Sequence, residues 1–342
     1  MKKLSILSIG AGAIGTYVGG SLALNGHEVV FLERPEIAED LKTRGLKLLL
    51  DDQEHHIPLP QMVTNLDQVL ASHKFDLALF ALKSFDTPLF LSSLTHLQNL
   101  PPILCLSNGV DNETLIAKAL GQDRVIAGTV TTAIGRRNPG DIKLEKLRGV
   151  GVSAGHTISK QIVAALDESG LNAQIFPRSD DMKWSKMLTN LIANASSAIL
   201  NMTPGEIFSN PDLYQLEIAQ LRETLSVMKA QRIGVVDLPG TPVKALAFAV
   251  RSLPLALSRP LLGRAVGGGR GEKMPSFHID LHSGRGNSEV DYLNGAVVRA
   301  GEKAGIPTPA NKLLTDTLLQ LTHGEYSLRT FDHQPQKLLS LF

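Results

Sequence analysis

Lys186, Asn190 and Asn194 stand four residues apart in WSKMLTNLIANASSAIL (184–200), a segment that is otherwise largely apolar. Successive residues of an α-helix are about 100° apart, so steps of four keep these three on one stripe. Met187, Leu188, Leu191, Ile192, Ala195 and Ile199 fill the other faces, which predicts a buried helix over 182–200. A buried amide without a partner costs about 1–3 kcal/mol, and an unpaired ammonium costs more. The stripe therefore either packs on other protein groups or lines a site for a polar ligand.

A second polar cluster favours the ligand. MPSFHIDLHSGRGNSEVDYLNGAVVRAGEKAGIPTP (274–309) begins with Ser276, turns at 283–286, and starts a new helix near Asn287 or Ser288. Glu289 falls in that helix's first turn, where a carboxylate either caps the helix or serves a site. Asp291 and Asn294 read equally well as solvated surface. His278 and His282 are four apart with Asp280 between them, but no third ligand or H-E-x-x-H pattern accompanies them, so no metal is expected.

A different chemistry opens the chain. LSILSIG, AGAIGTYVGGSLALNG and EVVFLE read as strand, glycine turn, helix and strand. Gly10, Gly12 and Gly15 form G-x-G-x-x-G, and the helix start at Ala13 and Ile14 offers free N–H groups to a pyrophosphate. The end of the second strand chooses the nucleotide, because an acid binds a free ribose 2'-hydroxyl whereas an arginine accommodates a 2'-phosphate. Glu33 and Arg34 stand side by side there, and on this ground alone NAD and NADP stay open.

These groups need elements to hold them. FDLALFALK (75–83), PPILCLSNG (102–109) and VIAGTVTTAIG (125–135) read as further strands, with helices near 87–97 and 112–120 between them. Strands alternating with helices imply an α/β Rossmann domain with a doubly wound, mostly parallel sheet. Lys83 and Asn108 end two of those strands, where such sheets place their ligands; each also reads as ordinary loop chemistry. PGDIKLEKLRGVGVSAG (139–155) reads as short strands finishing the sheet's edge, and 159–169 as a helix. QIFPRSDD (174–181) is the expected boundary between a dinucleotide-binding domain at 1–178 and an all-α C-terminal domain at 182–330, with a tail at 331–342. Helical periodicity marks 211–233, 242–257, 275–304 and 310–322. The stretch 251–273 has five basic residues, one acid and a GGG run, and reads as a mobile basic loop.

Composition bounds the rest. With 342 residues the chain exceeds one compact core, and 34 basic against 33 acidic residues leave no electrostatic footprint for nucleic acid. Cys105 is the only cysteine, which excludes an internal disulfide. Lys2, Lys3 and the apolar run after them imitate a secretory signal, but glycines interrupt the run, and no window reaches the ~18 apolar residues of a membrane span. A cytoplasmic protein that partners with neither nucleic acid nor membrane is expected, with a homodimer as one arrangement that would cover apolar helices such as 310–322.

GAGAIG, ALKS, LSNGVDNE, the PG turn, WSKMLTNLIANA and SEVDYLNGAVVRAGEKAGIPTP, in this order, resemble the 2-dehydropantoate 2-reductase (ketopantoate reductase) family. The resemblance implies a Rossmann domain joined to a helical domain and reduction of a 2-keto acid by NADPH, with 2-dehydropantoate giving pantoate on the route to pantothenate. It implies that Lys186 is the general acid on the keto oxygen and that Glu289 orders substrate and lysine. It further implies that Asn190, Asn194 and Ser276 hold substrate, with Lys83 and Asn108 near the nicotinamide and its ribose. Two alternatives remain: a related dehydrogenase acting on an opine-like or phosphorylated substrate, and a non-catalytic sensor that binds a dinucleotide.

Overall fold

The computed structural model describes residues 3–94, 99–270, 273–284 and 286–342. The chain divides into two compact units, one of residues 1–183 with 238–241, the other of 184–237 with 242–342. The end of the helix expected near 87–97 lies partly outside the described residues, as do parts of the 283–286 turn and of the basic stretch.

The first unit runs β1 (Ser5–Ile9), α1 (Ala13–Leu24), β2 (Glu28–Leu32), α2 (Pro35–Arg44), β3 (Leu46–Leu50), β4 (Gln53–Ile57), β5 (Gln61–Val63), α3 (Leu66–Ser72) and β6 (Leu77–Phe80). It continues through α4 (Thr87–Ser92), β7 (Ile103–Cys105), α5 (Asn112–Leu120), β8 (Val125–Val130), β9 (Ala133–Asn138), β10 (Asp141–Lys146), β11 (Val150–Ser153), α6 (Ser159–Glu168) and β12 (Ala173–Phe176). Eight strands form one sheet in the order β12-β11-β8-β7-β6-β1-β2-β5, parallel at every pairing except β8 with β11. The central strands β6 and β7 are apolar, and β1 and β8 largely so, because both sheet faces are covered. Alternate residues serve different cores: Ile6, Leu79 and Leu104 pack with Tyr17 of α1 and Ile162 of α6, whereas Leu7, Phe80 and Cys105 pack with Leu70 of α3 and Ile116 of α5.

Three expectations for this unit are corrected. The strand read over 125–135 is two strands, since the chain leaves the large sheet after Val130 and β9 enters a four-stranded sheet ordered β4-β3-β10-β9. The segment 139–155 does not finish an edge: β10 lies in the small sheet, and β11 sits inside the large one between β8 and β12. The boundary segment 174–181 contains most of β12, an edge strand whose exposed Gln174 and Ile175 blur the apolar pattern.

The second unit takes up α7 (Ser179–Leu191) from Trp184 onward and adds α8 (Asn194–Leu200), α9 (Pro204–Ser209), α10 (Pro211–Ala230), α11 (Val243–Ser252), α12 (Leu255–Arg270) and α13 (Ser276–His282). A 3-10 turn at Glu289–Tyr292 precedes α14 (Asn294–Ala304), α15 (Pro309–Thr322) and α16 (Pro335–Leu339). The single helix read over 182–200 is broken at Ala193, whose φ of 47° and ψ of 24° are left-handed. In the stretch 275–304 a turn follows α13 where one was expected, and the new helix expected near Asn287 or Ser288 starts as the 3-10 turn at Glu289, with α14 proper from Asn294. The basic stretch read as a mobile loop is mostly α12, in which Ser258 and Leu262 are buried; its leucines, alanines and arginines are good helix formers that outweigh Pro260 and the glycine run. Residues 331–342, read as a tail, belong to the second unit and bury Phe331 and Leu338.

Candidate active site

In the first unit the large sheet changes direction between β1 and β6. From β1 the chain adds β2 and β5 on one side, and from β6 it adds β7 and β8 on the other. Ligands of such sheets bind beyond the strand carboxyl ends at that point. The glycine turn follows β1, and Lys83 follows β6.

The turn is built tightly. Gly10 has φ 97°, which favours glycine, and donates its N–H to Leu32 O at 3.0 Å. A Cβ on Gly15 would lie 1.9 Å from Gly10 O, so α1 can approach the turn only through a residue without a side chain. A Cβ on Gly12 would meet no protein atom within 4 Å. Gly12 caps α1 with backbone alone, and Ala13 and Ile14 begin the helix half-buried, which leaves the first-turn N–H groups suited to an anion. These residues fit the pyrophosphate of a dinucleotide.

Glu33 and Arg34 differ in placement. The Glu33 carboxylate, half-buried, accepts the Ala11 N–H at 2.6 Å and the Arg34 N–H at 3.2 Å. The Arg34 side chain is exposed at the start of α2. Lys83 caps a short 3-10 turn, and Asn108 O accepts from Ser84 Oγ at 2.9 Å and from Asn112 Nδ2 at 2.7 Å. Asn112, fully buried, also donates to Ser84 Oγ, so the loops carrying Lys83 and Asn108 are fastened to each other.

Sequence reading missed the buried Lys183. Its ammonium donates to Ser107 O at 2.8 Å and Gly128 O at 3.2 Å, and it pairs with Glu113 at 2.7 Å. The neighbouring Cys105 is fully buried, and burial, reinforced by Glu113, pushes its thiol far above the ordinary range. A thiol held neutral in this way is not a nucleophile.

In the second unit the structure brings together Asn190, Asn194 and Ser276. Asn194 opens α8; its Nδ2 donates to Asn190 O at 3.0 Å and lies 3.5 Å from Ser276 Oγ, and its Oδ1 accepts the Phe277 N–H at 3.1 Å. Asn194 is buried, whereas Ser276 is exposed at the first position of α13. Lys186 and Asn190 are half-buried one turn apart on α7. Glu289 is only 1% exposed, at the start of the 3-10 turn. The capping donor there is Val290 N–H, and it goes to Ser288 Oγ, so Ser288 is the cap.

Asn294, which reads equally well as solvated surface, is fully buried and donates to Gln220 Oε1 at 2.9 Å and Asn311 Oδ1 at 3.1 Å. Asp291 does lie at the surface, paired with Arg299 at 2.7 Å. His278 Nε2 donates to Asn201 Oδ1 at 2.8 Å, and its ring lies 4.2 Å from that of His282. Among the described residues no three metal-ligating side chains converge, and no helix is long and apolar enough to cross a membrane.

The family model described as "Ketopantoate reductase PanE/ApbA" matches residues 6–155, and its C-terminal counterpart matches 179–322. The chain belongs to the ketopantoate reductase family. The 2-dehydropantoate 2-reductase of Lactococcus lactis is 25% identical over 332 residues, covering 95% of this chain and 99% of that protein. A ketopantoate reductase family structure from Ralstonia eutropha is similar at TM-score 0.77 and 25% identity, over 94% of this chain and 99% of that one. D-mandelate dehydrogenase, solved with NADH and anilino(oxo)acetate, shares the fold at TM-score 0.75 and 24% identity, over 93% and 99%. Ketopantoate reductases are oxidoreductases dependent on a nicotinamide dinucleotide, and the glycine turn described above suits such a cofactor.

Proposed function

We propose that this chain reduces 2-dehydropantoate to pantoate with NADPH, using Lys186 as general acid. What carries the reading is the second unit's polar group: Lys186 and Asn190 one turn apart on α7, with Asn194 and Ser276 within 3.5 Å of each other at the next helix start. A bound nicotinamide supplies the hydride. The protein's share begins with the substrate, whose hydroxyl and carboxylate suit the amides and the Ser276 hydroxyl. As charge develops on the keto oxygen, the Lys186 ammonium stabilises it and donates the proton. Glu289, buried at the start of the 3-10 turn, orders substrate and lysine in this reading. Lys83 and Asn108, held by the Ser84 and Asn112 hydrogen bonds, serve the nicotinamide end. In this reading Arg34 meets the 2'-phosphate while Glu33 braces the glycine turn. The buried lone thiol of Cys105 suits the reducing cytoplasm.

A second reading concerns the cofactor alone. The Glu33 carboxylate lies against Ala11, where a ribose diol would be held in an NAD enzyme, and this favours NADH. Loss of nicotinamide absorbance at 340 nm on adding ketopantoate tests both readings, with NADPH, NADH and other 2-keto acids in parallel arms. Turnover with NADPH and ketopantoate is expected. Turnover with NADH alone replaces the cofactor assignment, and turnover with only a different 2-keto acid replaces the substrate. Tight dinucleotide binding with no turnover favours a sensor.

A further inference from the structure

We infer that Glu217 is a positioning residue for the substrate, acting by holding open the break between α7 and α8. This inference rests on the proposed reductase function and goes beyond it, because Glu217 lies on α10, outside the polar stripe.

Without the break, α7 and α8 would continue as one helix and the Ala193 N–H would donate to the carbonyl of Thr189. In the structure Ala193 is left-handed, a conformation that alanine takes up only where its surroundings impose it. Its N–H donates instead to Glu217 Oε2 at 2.7 Å. Ser196 Oγ, in the first turn of α8, donates to Glu217 Oε1 at 2.6 Å. On the other side of the break, Leu191 O accepts Gln220 Nε2 at 3.3 Å, and the same Nε2 is 2.8 Å from Glu217 Oε2. Glu217 and Gln220, three apart and both fully buried, thus receive the donor and fill the acceptor that the broken helix exposes.

The break matters because Asn190 precedes it and Asn194 follows it. Asn194 can hold the start of α13 through the Phe277 N–H, and reach Ser276, because it opens a new helix. A carboxylate is the side chain that satisfies this position, since both its oxygens receive donors. A glutamine there would turn its NH2 toward at least one of the three groups that now donate to Glu217. Gln220 is itself fixed by the buried Asn294, and Asn294 by Asn311, so the acceptor is set from behind.

The test compares wild type, Glu217→Gln and Ser196→Ala as full-length proteins. Steady-state kinetics with ketopantoate, dinucleotide affinity by nicotinamide fluorescence and helix content by circular dichroism are measured for each. Glu217→Gln is expected to raise the KM for the keto acid about tenfold, with kcat and dinucleotide affinity changing less than about threefold. Ser196→Ala, which removes one donor and touches no substrate, is expected to raise KM two- to threefold and decides the matter if Glu217→Gln does not fold. An unchanged KM in a folded variant overturns the inference. So does a rise in KM accompanied by parallel losses of dinucleotide affinity and helix content, which marks a core residue only. A wild type without turnover on any 2-keto acid overturns the reductase reading and this inference together, whereas an active wild type beside a variant of unchanged KM overturns this inference alone.

Discussion

The Glu33 carboxylate accepts the Ala11 N–H at 2.6 Å, so the acid that ends β2 is held against the glycine turn that begins α1. Two unit charges 4 Å apart repel by about 1 kcal/mol even in water, and a 2'-phosphate carries nearly two. Glu33→Gln keeps an oxygen for Ala11 while removing the charge. It is expected to tighten NADPH binding about tenfold and leave NADH within about threefold. Fluorescence titration of both dinucleotides checks this, and equal changes for the two would remove Glu33 from nucleotide choice.

Gly12 and Gly15 separate ligand binding from folding. A Cβ at Gly12 meets only open space, so Gly12→Ala is expected to keep the melting temperature within about 2 °C while weakening dinucleotide binding at least tenfold. A Cβ at Gly15 strikes the Gly10 carbonyl, so Gly15→Ala is expected to cost about 1–3 kcal/mol of stability as well. Melting curves beside binding isotherms distinguish them; a Gly12→Ala protein that binds normally would show that no pyrophosphate passes this turn.

Lys186→Ala is expected to lower kcat by about 10²–10⁴-fold, the range for loss of a general acid, with dinucleotide affinity within about twofold. Single-turnover absorbance with saturating ketopantoate makes the comparison. Turnover that survives the substitution would assign the proton to another group.

Burial, with His282 adding to it, lowers the His278 pKa to about 4 from an ordinary 6.5. The unfolded chain therefore takes up a proton near pH 6.5 that the folded chain refuses until about pH 4. Stability from this group is complete above pH 6.5 and falls as the pH drops through that window. Urea unfolding at pH 7 and pH 5 is expected to show wild type losing on the order of 1 kcal/mol more than His278→Gln, given partial solvent screening. An identical loss in both proteins would place the pH dependence elsewhere.

The elements of the fold that could be read from the chain are those whose pattern is local. The G-x-G-x-x-G turn, the buried strands β1, β6 and β7, and the stripe from Lys186 to Asn190 all announce themselves within one or two turns of sequence. Ala193 does not, because alanine in an apolar run is the best local argument for an unbroken helix. The break is imposed by Glu217 and Gln220 from α10, more than twenty residues away. Asn294 stays open in the sequence for the same reason: an amide beside Tyr292 and Leu293 reads equally well as surface until Gln220 and Asn311 are seen to receive it. Lys183 offers no local signal either, since its partners come from three distant segments of the chain.

The four residues Leu238–Thr241 belong with the first unit although they follow some fifty residues of the second. There Pro239 O accepts the buried Thr131 hydroxyl at 2.8 Å, and Gly149, with φ 146°, lets its backbone run where a Cβ would strike Asn172 O and Pro239. A gene cut after Lys183 would thus yield a fragment short of its own last piece, with Thr131 deprived of an acceptor. The two units are interleaved along the chain, so no single cleavage, and no simple exchange of halves between relatives, delivers either one whole.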